Sequence, residues 1–283
     1  MHIVVCVKQV PNPEAPFSML KVDEQAKKVI PAAGLNLVMS PFDEQALEAA
    51  LRIRESAGVN DARSIDAPTE NQARKTDAPT AAKITAVSIG PESARSVLKH
   101  ALAMGADEAV LVSDAALEDA GSEATAFALA HAVRQLGAVD LVLTGRQAAD
   151  WDAGVVGCGI AELLDLPLIT FARKVEVSGP TLRVERVLAD GFETLECALP
   201  ALVTVSNELG EARKPNLRET MRAARKPLAV RSAGDLGIDA AGLERMAARR
   251  VRERLYVPVK EGACEMLDGA EALARRLREA RLA

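Results

Sequence analysis

Aromatic residues are scarce in this sequence: Phe, Trp and Tyr make up 2% of its 283 residues, whereas hydrophobic residues together make up 49%. The core must therefore be built from Ala, Val, Leu and Ile, which favours parallel α/β folds with central strands buried on both faces. The scarcity of aromatics also argues against proteins that stack RNA or single-stranded DNA bases. A net charge of −5 provides no global basic field, so we expect no nucleic-acid partner.

Signatures of metal sites and disulfides are also missing. No two cysteines form a CxxC pair, and the histidines show no metal-ligand spacing with each other or with the cysteines. We therefore expect free thiols in a reducing compartment and no metal site. The residues concerned are Cys6, Cys158, Cys197, Cys264, His2, His100 and His131.

Long hydrophobic runs are absent as well. The N-terminus shows no basic segment followed by a long apolar stretch, so we expect no targeting signal. The best candidate for a membrane span, Ala124–Val133, is short and contains His131. These features predict a cytoplasmic protein without direct membrane insertion.

What the first half does contain is a regular alternation of apolar runs and amphipathic helical patterns. Such an alternation predicts right-handed βαβ units, and hence an open, mainly parallel sheet with helices on both faces. Ser40, Pro41 and Asp43 suit the cap and first turn of the first helix. The predicted strands are His2–Val7, Lys83–Ile89, Glu108–Val112 and Asp140–Thr144, and the predicted helices are Pro41–Ala57, a segment from Gly90-Pro91 to about Met104, Gly121–Leu136 and Val155–Leu164.

The second half has a different pattern. Three alternating runs separated by Ser-Gly-Pro and Ala-Asp-Gly predict β-hairpins, and a buried strand and an amphipathic C-terminal helix follow. Gly58–Ala82 is polar and repeats DAPT, so we expect a mobile surface insertion there. The runs are Phe171–Val177, Thr181–Val187 and Phe192–Ala198, then the strand Ala201–Val205, the polar, basic stretch Asn207–Lys226 and the helix Ala263–Ala283.

The ends of the first and fourth predicted strands form the candidate binding site. Ligands of open α/β sheets bind outside the carboxyl ends of strands, where the strand order switches. The loop that begins at Gly145 is polar, carries glycines and enters a helix, whose N-terminal N–H groups can bind an anion. Gly154, Gly157 and Gly159 give GxxGxG rather than the dinucleotide fingerprint GxGxxG. Close helix–sheet packing and phosphate binding explain these glycines equally well.

Catalytic motifs are not found: the sequence has no GxSxG, HExxH or GxxxxGK[ST]. Asp150 and Asp152 are interpreted as a turn and cap device rather than an acid–base couple. We therefore expect no catalytic residues.

A basic cluster surrounds two apolar residues in the stretch from 207 to 226. Leu217 and Met221 are four residues apart and share one helical face, flanked by Arg222 and Arg225. A solvated helix face is the ordinary explanation of such charges. An apolar pair ringed by cations also predicts a docking site for an acidic partner.

Taken in order, several segments resemble the electron-transfer flavoprotein β-subunit family over nearly the whole chain. They are IVVCVKQVP, SPFDEQALEAALRIRE, VSIGP followed by ALAMGADEAVLV, LTGRQAADWDAGVVGCGIAELLDLP, LRVERVLADGFETLECALPALVTV and ARKPNLRETMRAARKPL. The resemblance implies a heterodimer whose α subunit carries FAD, with an adenine-nucleotide-binding, Rossmann-like β subunit that holds AMP. Flavin-dependent dehydrogenases such as acyl-CoA dehydrogenases are the implied electron donors, and a membrane quinone oxidoreductase is an implied acceptor.

The resemblance also assigns roles to residues. It implies a nucleotide-binding domain over 1–230 and an arm over 231–283 that wraps the α subunit. Partner docking is assigned to Leu217, Met221, Arg222 and Arg225. At Cys6 and Ile89 the nucleotide contact is expected from the backbone. The implied cofactor-binding residues are Cys6, Ser40, Pro41, Phe42, Asp43, Ile89, Gly145, Arg146, Gln147, Ala148, Ala149, Asp150, Asp152, Ala153, Gly154, Val155 and Val156.

Departures from the family pattern keep two alternatives open. The family usually has Asn at the position of Ser40, and Thr or Asn followed by Gln where this chain has Ala153, Gly154 and Val155. Asp43 and the Val-Gly at 156–157 are more similar to the nitrogen-fixation-associated, electron-bifurcating branch, in which a second FAD replaces AMP and meets NADH. An alternative from another class is a stand-alone adenine-nucleotide-binding regulatory protein, which would need no partner.

Overall fold

The computed structural model describes residues 1–63, 82–258 and 264–282. Within these ranges the chain forms thirteen strands and seven α-helices. The strands are β1 His2–Cys6, β2 Gln9–Pro11, β3 Leu20–Asp23, β4 Lys28–Pro31, β5 Leu37–Met39, β6 Lys83–Ile89, β7 Glu108–Val112, β8 Leu141–Gly145, β9 Leu168–Ser178, β10 Thr181–Leu188, β11 Gly191–Ala198, β12 Ala201–Val205 and β13 Leu228–Arg231. The helices are α1 Pro41–Arg63, α2 Arg95–Met104, α3 Gly121–Gln135, α4 Val156–Leu164, α5 Leu217–Ala223, α6 Ala240–Ala247 and α7 Gly269–Glu279.

A nine-stranded sheet organises the fold, in the order β11-β10-β9-β12-β8-β1-β6-β7-β13. All neighbours from β9 to β13 run parallel, whereas β9, β10 and β11 form an antiparallel meander at one edge. Two small two-stranded sheets, β2 with β5 and β3 with β4, lie outside it. The predicted open, mainly parallel α/β sheet with a hairpin region is confirmed.

Two helical layers cover the sheet, as the alternation in β1 shows. Ile3 and Val5 pack into the cluster that contains α1 and α2, whereas Val4 and Cys6 pack into the cluster that contains α3 and α4. Successive strand residues point to opposite faces, so both faces of a central strand are buried and both must be apolar. The prediction of helices on both faces is confirmed.

Several element boundaries differ from the sequence predictions. Helix α1 continues to Arg63, six residues beyond the predicted end at Ala57, so the first six residues of the predicted insertion are helical. One internal glycine costs a helix only about 1 kcal/mol and did not stop this one. Residues 64–81 of the predicted insertion lie outside the described residues, and its last residue, Ala82, is buried. The C-terminal helix is shorter than predicted and begins at Gly269, which has a φ of 83°.

The chain divides into two compact units. The first comprises Met1–Leu20 with Pro31–Val251, and the second comprises Lys21–Ile30 with Arg252–Ala283. The predicted arm begins at 231, whereas the unit that contains the sheet continues to Val251. In the second unit, α7 has no buried residue. Across the described ranges, none of the helices has the length and hydropathy needed to cross a bilayer.

Candidate functional site

The strand order reverses at β1, which lies between β8 and β6. From β1 the chain proceeds through β6 and β7 on one side, then crosses to β8 on the other. At such a switch the loops that follow the two strands diverge to opposite faces and leave a crevice at their carboxyl ends. Here the crevice lies between the residues after Cys6 and the loop from Arg146 to Val155.

Asp43, in the first turn of α1, joins the two strand ends. One carboxylate oxygen accepts the Lys8 N–H at 2.8 Å and the other accepts the Gly145 N–H at 3.1 Å. Burial raises the pKa of this carboxyl to about 7, against the opposing effect of the two backbone hydrogen bonds. Asp43 therefore positions the floor of the crevice, and both of its oxygens are already engaged.

Glycine is required where α1 and α4 approach the sheet. A Cβ on Gly145 would lie 2.6 Å from Oδ1 of Asp43 and 2.7 Å from Cβ of Phe42. A Cβ on Gly157 would lie 2.7 Å from Oγ1 of Thr144. Of the two explanations for the glycines of this loop, close helix–sheet packing therefore holds for Gly157. Gly154 differs, because it has a φ of 65° within the loop and serves its turn.

Polar contacts fasten the loop after β8 to its surroundings. Nζ of Lys8 lies 2.7 Å from an Asp150 oxygen, and the hydroxyl of Ser40 accepts the Ala149 N–H at 3.3 Å. Within the loop, the Gln147 amide donates to Asp152 at 2.8 Å. The two aspartates thus hold the loop, Asp150 through Lys8 and Asp152 through Gln147.

Arg146 occupies the centre of this edge. Its guanidinium carbon lies 5.0 Å from the ring centre of Phe42 and 5.8 Å from that of Phe171, and Nη1 donates to Ser206 at 3.2 Å. Its Nε is buried and has no hydrogen-bond partner among the described residues. A buried donor without an acceptor is costly, so this atom would be stabilised by an acidic group brought by a ligand.

Phe171 reaches the site through an irregularity in β9. The pairing of β9 with β12 shifts register between Val203 and Val205, and Phe171 adopts a φ of 57°. Bulky residues rarely adopt this conformation, and bulges redirect side chains near binding sites. The Phe171 N–H donates to Oγ1 of Thr204 at 3.1 Å, and 44% of Phe171 remains exposed.

The structure brings most of the predicted cofactor residues to one edge of the sheet. Residues 40–43 begin α1 beside the loop 145–156, and Ile89 ends β6 on the far side of β1. The thiol of Cys6 faces the core, where burial raises its pKa to about 12, so only its backbone is available at the crevice. Sequence reasoning missed Lys8, Ser206 and Phe171. Lys8 and Ser206 follow strand ends and were detectable, whereas the bulge at Phe171 leaves no sequence signal.

Of the predicted docking residues, Leu217, Met221 and Arg222 lie on α5, and Arg225 lies two residues after its end. A capping box begins this helix: Asn216 accepts the Glu219 N–H at 3.0 Å and Glu219 accepts the Asn216 N–H at 2.7 Å. Leu217 is 77% exposed and Met221 is 67% exposed, while Ala223 is buried. We call Leu217, Met221, Arg222 and Arg225 the docking patch, and all four are exposed.

A mainly parallel sheet covered on both faces, with a crevice at the strand-order switch, defines a Rossmann-like α/β protein. Comparison with known proteins identifies the family. A family model described as the electron transfer flavoprotein domain matches residues 61–236. The chain is 38% identical to the electron transfer flavoprotein subunit beta of Thermoanaerobacterium thermosaccharolyticum over 84% of this chain and 81% of the relative. It is 35% identical to the subunit beta of Megasphaera elsdenii, over 91% and 88% of the two chains.

A third relative is the protein FixA of Azorhizobium caulinodans, which is 35% identical over 84% of this chain and 78% of the relative. The chain therefore belongs to the electron transfer flavoprotein family, in the group formed by β subunits and FixA proteins. The resemblance noted from the sequence motifs is confirmed. The assignment of individual residues to a nucleotide site or to docking stays a prediction.

Proposed function

We propose that this chain is the β subunit of a heterodimeric electron-transfer flavoprotein that binds an adenine nucleotide in the crevice between β1 and β8. It performs no bond chemistry itself. Electrons from a flavin dehydrogenase pass to FAD in the α subunit and from there to a quinone reductase or another acceptor. The observation that supports the nucleotide site best is the buried, unpartnered Nε of Arg146 at the strand-order switch.

The residues of this edge fit AMP. Arg146 offers a buried donor, and the first N–H groups of α4, from Val156 onward, have no intrahelical acceptors and suit a phosphate. Asp43 and Ser40 hold the two walls of the crevice in place through backbone groups of Lys8, Gly145 and Ala149. The nucleotide would supply no redox chemistry here and would act as a structural ligand.

The second unit supports a partner-dependent subunit over a stand-alone regulator. Helix α7 is amphipathic and buries no residue, and Leu273 on its apolar face is 49% exposed. Met266, just before the helix, is 87% exposed. A protein that worked alone would have no reason to keep such a segment. We propose that residues 231–283 contain the arm that wraps the α subunit.

One observation favours the alternative of a second FAD in the crevice, as in a bifurcating flavoprotein that uses NADH. Ala153 and Gly154 leave the loop without polar side chains at these positions. Nearby in the loop, Trp151 is 46% exposed and Val155 is 39% exposed, and Phe171 lies beside Arg146. This apolar surface suits a flavin ring better than it suits a nucleotide without one.

The test is to co-express the chain with an α subunit, denature the purified heterodimer and identify the released nucleotides by chromatography. One FAD and one AMP per heterodimer support the simple carrier. Two FAD and no AMP support the bifurcating subunit, and NADH binding is then the next measurement. A chain that is stable alone and retains nucleotide without any partner contradicts both.

A pair of variants tests the location of the site. Arg146→Gln should lower the amount of nucleotide recovered from the β subunit, because it removes the buried donor. Arg183→Gln is the matched control, since Arg183 is 59% exposed on β10 and remote from the switch point. Equal nucleotide content in the two variants would place the nucleotide elsewhere.

A further inference from the structure

The segment between β12 and α5, residues 206–216, is held against one face of α1. Gln45 donates to the Gly210 carbonyl at 3.3 Å, and Nη1 of Arg52 donates to the Leu209 carbonyl at 3.0 Å. Leu209 is itself buried. The middle of the segment is thus fastened to α1.

An ion-pair cluster ends this row of contacts. Arg213 donates from Nε to Glu48 at 2.7 Å and from Nη1 to Glu55 at 2.5 Å, while its backbone N–H reaches Glu48 at 3.2 Å. Glu48 and Glu55 lie seven residues apart, two turns along α1, and so share a face. We call Arg213 with Glu48 and Glu55 the α1 clamp.

The clamp is partly buried, so solvent and salt screen its Glu48 half less than they screen a surface ion pair. The Glu48 side chain is only 6% exposed. Burial alone would raise the pKa of Glu48, but hydrogen bonds from Arg213 and Arg52 outweigh it and lower the pKa below its ordinary value. The hydrogen bonds that Arg213 donates to Glu55 and, secondly, to Glu48 raise the pKa of Arg213. A planar guanidinium that satisfies two carboxylates fixes orientation as well as distance.

The other end of α5 is fastened to a different helix. Nζ of Lys226, three residues after α5, donates to the Leu102 carbonyl at 2.9 Å and to the Ala106 carbonyl at 2.6 Å. These carbonyls lie at the C-terminus of α2, where a cation also complements the helix dipole. Helix α5 is therefore attached to α1 before its first turn and to α2 after its last.

We infer that Arg213 is a positioning residue for docking: through the α1 clamp it holds α5 so that Leu217 and Met221 face a partner in one fixed orientation. The inference rests on the proposed role of the docking patch. A seven-residue helix has little stability of its own, so its orientation must come from attachments to the rest of the fold. A surface that is ordered before binding loses less conformational entropy when the partner arrives.

The experiment uses the intact heterodimer and three single variants. Arg213→Gln removes the clamp. Glu55→Gln removes the exposed half of the clamp. Glu48 stays paired with both Arg213 and Arg52, so we expect this variant to fold. Lys214→Gln removes one neighbouring positive charge outside the clamp and is the matched control for electrostatic steering.

Hydrogen–deuterium exchange is the first readout, because it requires no dehydrogenase. Amides of residues 217–223 should exchange faster in Arg213→Gln and Glu55→Gln than in the wild type, and at the wild-type rate in Lys214→Gln. The second readout is reduction of the heterodimer by an acyl-CoA dehydrogenase. We expect the KM for the dehydrogenase to rise about tenfold in Arg213→Gln with little change in kcat.

The outcomes separate this inference from the proposed function. If Leu217→Ala raises KM while Arg213→Gln and Glu55→Gln leave both exchange and KM at wild-type values, the docking patch stands and the clamp is overturned as its positioning device. A second outcome is faster exchange of residues 217–223 in Arg213→Gln and Glu55→Gln, with an unchanged KM in both variants and in Leu217→Ala. In that case the clamp orders α5, but α5 does not dock the dehydrogenase. If Lys214→Gln and Arg213→Gln changed exchange and KM equally, the cause would be the lost positive charge and not the clamp.

Discussion

The crevice and the docking patch are fixed in place by opposite means. At the crevice a buried carboxyl group accepts two backbone N–H groups, one just after β1 and one at the end of β8, and has no ion-pair partner at hydrogen-bond distance among the described residues. At the docking patch, α5 is attached by a guanidinium between two carboxylates and by an ammonium on helix carbonyls. Around Asp43, almost no side chain can become larger without a clash. The attachments of α5 tolerate changes of side-chain volume but depend on the charges of Arg213, its two carboxylates and Lys226.

This contrast means that different conditions should affect the two regions. Proton concentration acts on the crevice, because the pKa of Asp43 lies close to neutrality. Ionic strength acts on the exposed half of the α1 clamp, since screening weakens exposed charge pairs more than buried ones. The predictions below test the contrast, beginning with the largest expected effect.

Gly145→Ala should destabilise the protein most. The added methyl group would meet Asp43 and the backbone of Phe42 at less than 3 Å, and neither can move without opening the link between β1 and β8. Overpacking of this kind costs about 1–3 kcal/mol of unfolding free energy. Denaturant unfolding of the heterodimer measures it, with Gly234→Ala as the control because its nearest neighbour is 3.7 Å away. If Gly145→Ala lost no more unfolding free energy than Gly234→Ala, the residues around Gly145 would be able to move and accept the methyl group.

Asp43→Asn should destabilise the fold in a pH-dependent manner. The amide leaves one of the two buried N–H groups without an acceptor, at a cost of about 1–3 kcal/mol. Because the folded-state pKa of about 7 lies above the ordinary 3.8, the folded protein keeps the proton over a range in which the unfolded chain has lost it. The contribution of Asp43 is therefore full below the unfolded pKa and declines as pH rises towards 7.

The stability difference between the wild type and Asp43→Asn should accordingly narrow as pH is raised from about 5 to about 8. Unfolding free energies of both proteins across this range provide the measurement. A difference that stayed constant over this range would show that Asp43 is already ionised in the folded state at about pH 5, as the two hydrogen bonds alone would favour.

Leu217→Ala should weaken electron transfer with a dehydrogenase and leave the heterodimer intact. Removing an exposed anchor from a docking site costs about 1–2 kcal/mol of binding, or roughly a tenfold rise in KM. Leu188→Ala is the control, since Leu188 on β10 is 42% exposed and lies outside the docking patch. Loss of heterodimer on gel filtration would instead make Leu217 a residue of the subunit interface.

Asp150→Asn should have the smallest effect. The Lys8 side chain is 43% exposed, and a pair of this kind contributes less than about 1 kcal/mol. We expect the unfolding free energy to change little and the residual effect to disappear in high salt. A large, salt-independent loss would place the loop after β8 among the rigid parts of the crevice.

Sequence periodicity predicted the parallel core because both helix and strand patterns are strong there. β6, β7 and β12 have the predicted bounds, since each is an apolar run bounded by clear breaks. The exposure of Leu217 and Met221 also followed from their spacing. The strands β2, β3, β4, β5 and β13 were missed because each is only three or four residues long, too short to show a period.

Two parts of the site were beyond prediction for physical reasons. Asp43 was predicted to contact the nucleotide. Its carboxyl accepts N–H groups of Lys8 and Gly145, which are far apart in sequence, and no local pattern encodes such a contact. Phe171 was read as the first residue of a strand, whereas β9 begins at Leu168 and a register shift turns the ring towards Arg146. The segments 64–81 and 259–263 lie outside the described residues.

The lack of buried residues in α7 bears on how fast this chain would be degraded in a cell. An eleven-residue helix without a buried side chain is only marginally stable in water, so its order should depend on the concentration of whatever covers it. Subunits made in excess would then present an unprotected C-terminal segment to proteases, while assembled subunits would not. Under the proposal that the arm wraps the α subunit, selective turnover would thus match the amount of this subunit to the supply of its partner.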